Sequence, residues 1–279
     1  MKTVGLFTGW GCEEFAVRAI ENHLRICDTM LVSIQEHDDS MLEFGDSTYE
    51  RVAIEFANDP RVKIIPKVFG RGRIDSVKCM ILNEMLSYVS TGDIVMLCDA
   101  DEFYDEGAIA EIKKALTEDG WDMLRVKDRF FCFNMDWYVG SSHGRFIRVK
   151  HGSKFYPTQQ YIPAPNNVKT ILEDNPMFHY SMLMNPEYRR VFWEDEGKHH
   201  MVSWLNNIYM RWDLNANLGD MRKLAEANYI ITGTKGFWFN KNVDEDEHAP
   251  YLYRFEGRHP DEIEYSPLRN VKDFRKYYE

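Results

Sequence analysis

Apolar and polar positions in the first 126 residues follow two alternating patterns. Short apolar runs predict strands at 3–8, 30–34, 61–66, 93–98 and 122–126. Between these runs, apolar residues recur at helical spacing and predict helices at 13–27, 49–56, 75–89 and 109–116. Asp75 or Ser76 is expected to cap the third helix. The core-facing residues of this helix are expected to be Val77, Met80, Ile81, Met85 and Val89. Strands that alternate with helices predict an α/β fold with a doubly wound, mainly parallel sheet.

The pattern changes after residue 127. Aromatic residues cluster at 130–138, and prolines interrupt the following stretch at Pro157, Pro163, Pro165 and Pro176. Because periodicity is lost, we expect an irregular, loop-rich segment, with helices returning at 187–211 and 218–228. The sequence therefore predicts an α/β half at 1–126 and a second portion at 127–279, packed together as one domain.

Acidic residues follow the most apolar of the predicted strands. Residues 93–98 form a nearly uninterrupted apolar run, as a strand covered on both faces requires, and Asp99, Asp101 and Glu102 follow it. Ligands of open α/β sheets bind outside the carboxyl ends of the strands. Other residues expected at that edge are Thr8, Glu36 and Arg73. Two aspartates one residue apart offer oxygen ligands suited to Mg²⁺ or Mn²⁺ that bridges a diphosphate.

Amino-acid composition and net charge limit the binding partners and the cellular compartment that we expect for the chain. A net charge of −11 and a pI near 5.4 argue against a large nucleic-acid surface, which needs clustered Lys and Arg. Five widely spaced cysteines without a CxxC pair indicate reduced thiols and a cytoplasmic setting. No apolar run is long enough for a membrane span, and the N-terminus carries no cleavage-like site, so we expect neither a span nor a signal peptide.

The segment around the acidic residues resembles the GT-A glycosyltransferases. The resemblance rests on a helix that contains Leu-Asn-Glu at 82–84, followed by Gly-Asp-Ile-Val-Met-Leu-Cys-Asp-Ala-Asp-Glu-Phe-Tyr at 92–104. The form Asp-Ala-Asp-Glu-Phe is more similar to families 17 and 92 and to phage-type family 2 enzymes than to classical family 2 enzymes. These enzymes also carry an aromatic segment like 130–137, a basic stretch like 145–148, and a histidine in an aromatic setting like that at 178–181. The resemblance covers about residues 1–200.

The resemblance implies a metal-dependent glycosyltransferase of the hexosyltransferase type, with a UDP- or GDP-linked sugar as the donor. It implies that Asp99, Asp101 and His179 hold Mn²⁺ or Mg²⁺ and that Glu102 orients the loop or contacts the sugar. It assigns nucleotide-sugar binding to residues 1–126 and acceptor binding to the remainder. The implied acceptor is a carbohydrate, a lipid-linked glycan or a protein. Residues expected to bind the donor's base, ribose or diphosphate are Thr8, Glu36, Arg73 and Lys78.

The general base stays open between candidates. An inverting transferase needs a carboxylate that takes the acceptor's proton, whereas a retaining one does not need that base in the same place. Asp136 beside Trp137 and Asp174 in a Leu-Glu-Asp run are the two main candidates, and Asp195 is a third.

Two other functions fit the same fold. One is nucleotidyl transfer to a sugar phosphate, which needs a glycine-rich, cationic loop directly after the first strand. Here that loop reads Thr-Gly-Trp-Gly-Cys-Glu and ends in an acid instead of a cationic residue. The other is a non-catalytic carbohydrate-binding protein, against which the intact acids and His179 argue.

Overall fold

In the computed structural model, the described part of the chain comprises residues 1–9, 12, 14–34, 47–65, 74–132, 134–156, 160–180 and 253–276, with isolated positions between 183 and 211. Its strands are β1 (Thr3–Gly9), β2 (Thr29–Ile34), β3 (Val62–Ile64), β4 (Ile94–Asp99), β5 (Glu102–Phe103), β6 (Met123–Cys132), β7 (Asn134–Arg148), β8 (Lys154–Tyr156), β9 (Gln160–Ile162), β10 (Val168–Ile171), β11 (Met177–His179) and β12 (Tyr253–Arg254). Its helices are α1 (Ala16–His23), α2 (Thr48–Glu55), α3 (Ile74–Leu86), α4 (Glu106–Leu116) and α5 (Asp261–Glu264).

Four parallel strands in the order β3-β2-β1-β4 form one half of the main sheet. Val4 and Leu6 of β1 belong to a core cluster with residues of α3, whereas Gly5 on the opposite face meets Cys27, which follows α1. A Cβ atom at Gly5 would lie 2.9 Å from Met30 Cε and 3.2 Å from Cys27 Sγ, so side chains pack closely against the backbone on this face. Helices therefore cover both faces, and the predicted doubly wound α/β fold is confirmed.

Helix α3 packs on the sheet through a stripe that differs in part from the prediction. Leu82, Met85 and Leu86 are buried in the core cluster, but Met80 is 58% exposed. The inward positions of α3 recur at three- and four-residue spacing through Leu82 and Leu86, and Met80 lies off that stripe. The inward orientation predicted for Met80 is therefore wrong.

An antiparallel segment continues the sheet where an irregular chain was predicted. The main sheet runs β3-β2-β1-β4-β7-β6-β11-β5, and β7 pairs antiparallel with β4. The prediction of a loop-rich segment from residue 127 is thus wrong for β6 and β7. Every second residue of β6 is buried from Leu124 to Phe130, so the two-residue period of a strand does continue past Val126. Consecutive aromatic residues after 129 obscure that period.

Contacts divide the chain into two compact units. The first comprises Met1–Arg129, Ser141–His179 and Arg258–Arg269, so the unit that holds the parallel strands also includes residues beyond 126. The second comprises Phe130–Gly140, Tyr180–Gly257 and Asn270–Glu279. In the described part of the chain, every helix is too short or too polar to cross a membrane. The helix predicted at 218–228 lies outside the described residues.

Candidate active site

The carboxyl end of β4 brings the predicted acidic residues together. β4 ends at Asp99, which pairs in parallel register with the buried Thr8 at the end of β1. The chain then turns through Asp101 into the short strand β5, which begins at Glu102. Because parallel strands end at one edge of a sheet, Thr8 lies beside Asp99 at the edge where the acids follow β4.

His179 reaches this edge through strand pairing. β11 pairs antiparallel with β5, and His179 lies directly opposite Glu102. His179 Nε2 is 3.8 Å from Asp101 Oδ2 and 4.0 Å from Glu102 Oε1. All three residues are buried, and their ligating atoms lie within 4.8 Å of one another. The structure therefore joins Asp101 and His179 with Glu102.

The other ring nitrogen of His179 faces a buried carboxylate. Asp128 lies on β6 and is 2% exposed, and its Oδ2 is 3.2 Å from His179 Nδ1. Burial opposes the charge on Asp128, but His179 and His143 outweigh burial and hold its pKa well below the usual range. Histidines that bind metals usually have one nitrogen held by a carboxylate or carbonyl, which orients the ring and leaves the other nitrogen for the metal.

Asp99 is engaged by two cations. Its Oδ1 accepts a hydrogen bond from Lys78 Nζ at 2.8 Å, and Arg145 lies 3.1 Å from its Oδ2. Burial opposes ionisation of Asp99, but Lys78 and Arg145 outweigh burial and hold its pKa well below the usual range. Arg145 also pairs with Glu102. Lys78, which the resemblance assigns to a diphosphate, is thus paired with a carboxylate, and Glu102 takes the position near His179 that the resemblance gives to Asp99.

Glu102 carries an oxygen without a protein partner. Burial raises the pKa of Glu102 to about 7, although Arg145 opposes that rise. Its Oε2 is buried and has no hydrogen-bond partner among the described residues. A buried acceptor of this kind is costly unless something binds it. Two carboxylates and an imidazole form a donor set that fits Mn²⁺ or Mg²⁺.

The two main candidates for the general base lie in different settings. Asp136 is half-buried on β7, and its backbone carbonyl accepts a hydrogen bond from the Phe255 N–H at 2.7 Å. Asp174 is exposed on the turn after β10 and has no ion pair or hydrogen bond to the acidic cluster in the described chain. Their catalytic role stays a prediction. Glu36, Arg73 and the third candidate, Asp195, lie outside the described residues.

Sequence reasoning missed Asp128 and His143, and noted Arg145 only as part of a basic stretch. A usable signal was present in β6, where buried Leu124, Val126 and Asp128 alternate with basic residues. Extending the predicted strand by two residues places Asp128 on the buried face. A buried aspartate in an apolar series indicates a specific partner, since charged residues are rarely buried unless they are paired.

Comparison with known proteins yields distant structural similarities. No protein-family model matches the sequence, and the curated proteins include no match. The chain is similar to a solved 4-diphosphocytidyl-2C-methyl-D-erythritol synthase, with a TM-score of 0.35 and 14% identity over 53% of this chain and 75% of that one. It is also similar to a UDP-glucose pyrophosphorylase complexed with UDP-glucose, with a TM-score of 0.33 and 10% identity over 72% of this chain and 99% of that one. Similarity at this level says nothing about function.

Proposed function

We propose that the chain is a metal-dependent glycosyltransferase of the hexosyltransferase type. In this proposal a UDP- or GDP-linked sugar is the donor, and a glycan, a lipid-linked glycan or a protein is the acceptor. The observation that carries the proposal is the buried cluster of Asp101, Glu102 and His179 at the carboxyl end of β4. This edge of an open α/β sheet is where nucleotide-type ligands bind. The sequence resemblance around residues 92–104 supports the same function.

The chain's own residues have separate tasks in this proposal. Asp101, Glu102 and His179 hold the cation, and Asp128 orients the imidazole so that Nε2 faces the two carboxylates. When bound, Mn²⁺ or Mg²⁺ supplies positive charge that stabilises a diphosphate leaving group. Arg145 compensates the charge of the carboxylates that it contacts and fixes the end of β4.

Three of the predicted donor-site residues keep the roles that the resemblance implies. Thr8 lies beside Asp99 at the same edge, which supports a place for it near the donor. Glu36 and Arg73 are proposed for the nucleotide and the diphosphate. The general base is proposed as Asp136 or Asp174. Replacing the residue that acts as the base should abolish transfer while donor binding persists, whereas replacing the other should not.

Binding calorimetry tests the donor site. UDP and GDP are titrated into the wild type and into Asp101→Asn, each with Mn²⁺ and with EDTA. We expect one of the two nucleotides to bind only with the metal, and this binding to be lost in Asp101→Asn. Asp119 is an exposed aspartate that follows α4, and Asp119→Asn serves as the matched control that retains binding. Metal-independent binding that Asp101→Asn leaves intact would contradict the proposed site.

Product analysis separates the proposed function from its alternatives. Glycosyl transfer releases UDP or GDP from the nucleotide sugar when an acceptor is present. Nucleotidyl transfer instead consumes added pyrophosphate and forms a nucleoside triphosphate and a sugar 1-phosphate. Binding without either product in the presence of a range of acceptors would favour the non-catalytic carbohydrate-binding alternative.

A further inference from the structure

A second set of ligating atoms lies on the Nδ1 side of His179. Asp128, His143 and His179 each offer one atom, and the three atoms lie within 4.8 Å of one another. Asp128 Oδ2 is 3.2 Å from His179 Nδ1 and 3.4 Å from His143 Nδ1. The two imidazole rings stand nearly perpendicular, with their centroids 5.6 Å apart. Two imidazoles and a carboxylate thus converge on one volume beside the acidic cluster.

The spacing of these atoms fits a small tetrahedral cation. In a tetrahedral Zn²⁺ site with bonds of about 2.0–2.1 Å, two ligand atoms are about 3.3–3.4 Å apart. The two distances from Asp128 Oδ2, 3.2 and 3.4 Å, match this value. The corresponding distances from His179 Nε2 in the acidic cluster are wider, at 3.8 and 4.0 Å. The two sets therefore differ in size as well as in chemistry.

One buried polar atom of the set has no partner among the described residues. Asp128 Oδ1 is buried and makes no hydrogen bond there. Asp128 as a whole is 2% exposed, so its free oxygen is shielded from water. Unpartnered buried polar atoms are rare, and an unplaced ion is one of their ordinary explanations.

We propose that Asp128, His143 and His179 form a second cation site, which takes Zn²⁺ or a similar borderline cation. Imidazole ligands favour such cations, whereas an oxygen-rich set favours Mg²⁺ and Mn²⁺. The half-exposed side chain of His143 gives the site a route to solvent. This assignment does not depend on glycosyl transfer.

The two sites compete for His179. A neutral imidazole has one nitrogen lone pair, so His179 ligates a cation through Nδ1 or through Nε2 but not through both. Zn²⁺ on Nδ1 leaves the hydrogen on Nε2, which then donates toward Asp101 and Glu102 instead of binding a cation. Zn²⁺ therefore weakens Mn²⁺-dependent nucleotide binding, and this second step rests on the proposed function.

Zinc calorimetry on the metal-stripped chain tests the site. The variants are His143→Gln, Asp101→Asn and, as a matched control, His151→Gln, which replaces an exposed histidine on the turn between β7 and β8. We expect a Zn²⁺ binding event in the wild type, in Asp101→Asn and in His151→Gln. In His143→Gln we expect the Zn²⁺ affinity to fall by at least about 10–100-fold, which is the loss expected when a residue that only orients a metal ligand is removed.

Two outcomes overturn the proposal. One is Zn²⁺ binding of equal affinity in the wild type and in a His143→Gln protein that melts at the wild-type temperature. The other is Zn²⁺ binding that disappears in Asp101→Asn, because that result places the ion in the acidic cluster. Failure of UDP and GDP to bind would remove the proposed function but leave the zinc result untouched. If both hold, Zn²⁺ lowers Mn²⁺-dependent nucleotide binding in the wild type and much less in His143→Gln.

Discussion

Two aspartates separated by one residue have opposite surroundings at the end of β4. Asp99 lies between Lys78 and Arg145, at 2.8 and 3.1 Å, and these cations are permanent parts of the fold. Asp101 faces His179 Nε2 at 3.8 Å and pairs with no lysine or arginine in the described chain. Lys78 and Arg145 neutralise the first carboxylate, whereas the proposed function gives the second a bound cation as its partner. In that proposal the same edge of the sheet combines a structural ion-pair network with a ligand-binding cluster.

The two aspartates define two groups of residues, the Asp99 side and the Asp101 side. We predict that variants on the Asp99 side change the free energy of unfolding, whereas variants on the Asp101 side change the affinity for a cation. Arg145 belongs to the first side, because it joins Asp99 to Glu102 within the buried interior. His179 and Asp128 belong to the second.

Arg145→Met should have the largest effect, on folding. Removing one partner of a buried ion pair leaves uncompensated charge and costs about 3–5 kcal/mol. We expect chemical denaturation to show a loss of this order in the free energy of unfolding. Arg61 pairs with Asp59 on the surface, and Arg61→Met should change stability by no more than about 0.5 kcal/mol. Equal effects of the two variants would show that the Arg145 network is not structural.

Asp101→Asn should have the next largest effect, on cation binding instead of folding. The replacement keeps the side-chain volume and removes one anionic ligand, so we expect Mn²⁺ affinity to fall by about 100-fold, or roughly 2.7 kcal/mol. The melting temperature of the metal-free chain should fall much less than in Arg145→Met, because Asp101 supplies only part of the charge that stabilises protonated His179. Calorimetry of Mn²⁺ binding and a thermal melt measure the two quantities on the same sample. A large drop in melting temperature with unchanged Mn²⁺ affinity would mean that Asp101 has a structural role and does not bind the cation.

Asp128→Asn should weaken Mn²⁺ binding less, since Asp128 contacts the cluster only through His179. Loss of a carboxylate that orients a metal-bound histidine costs about 10–100-fold in metal affinity. The expected result is an affinity between those of the wild type and Asp101→Asn. Asp119→Asn again provides the exposed control. An effect larger than that of Asp101→Asn would mean that Asp128 itself is the more important ligand.

Alkaline pH should have the smallest effect, on the stability of the metal-free chain. Burial lowers the pKa of His179, but Asp101 and the hydrogen-bonded Asp128 raise it more, to about 9. Because this folded-state pKa lies above the unfolded value of about 6.5, the stabilisation is complete below pH 6.5 and is lost as pH rises through 9. We expect a loss of about 2 kcal/mol between pH 7 and 9.5, measured by denaturation in EDTA. His179→Gln should show a flatter profile over this range.

The sequence predicts the parallel half of the fold well, because buried parallel strands are continuous apolar runs and their helices have a clear period. It also predicts that Thr8 and the acids share one edge, since strand ends must meet there. It does not predict the strand pairing that places His179 opposite Glu102, which depends on chain geometry between distant segments. Nor does the sequence predict that Asp99 and Asp101 have different partners, because the partners of Asp99 are Lys78 and Arg145 on other elements.

Pulsed electron paramagnetic resonance of bound Mn²⁺ shows whether His179 is a ligand of the cation. With UDP or GDP present, we expect coupling of Mn²⁺ to a histidine nitrogen in the wild type. That coupling should vanish in His179→Gln and persist in His151→Gln. Mn²⁺ that binds with nucleotide but shows no nitrogen coupling, or coupling that survives in His179→Gln, would mean that His179 does not ligate the cation.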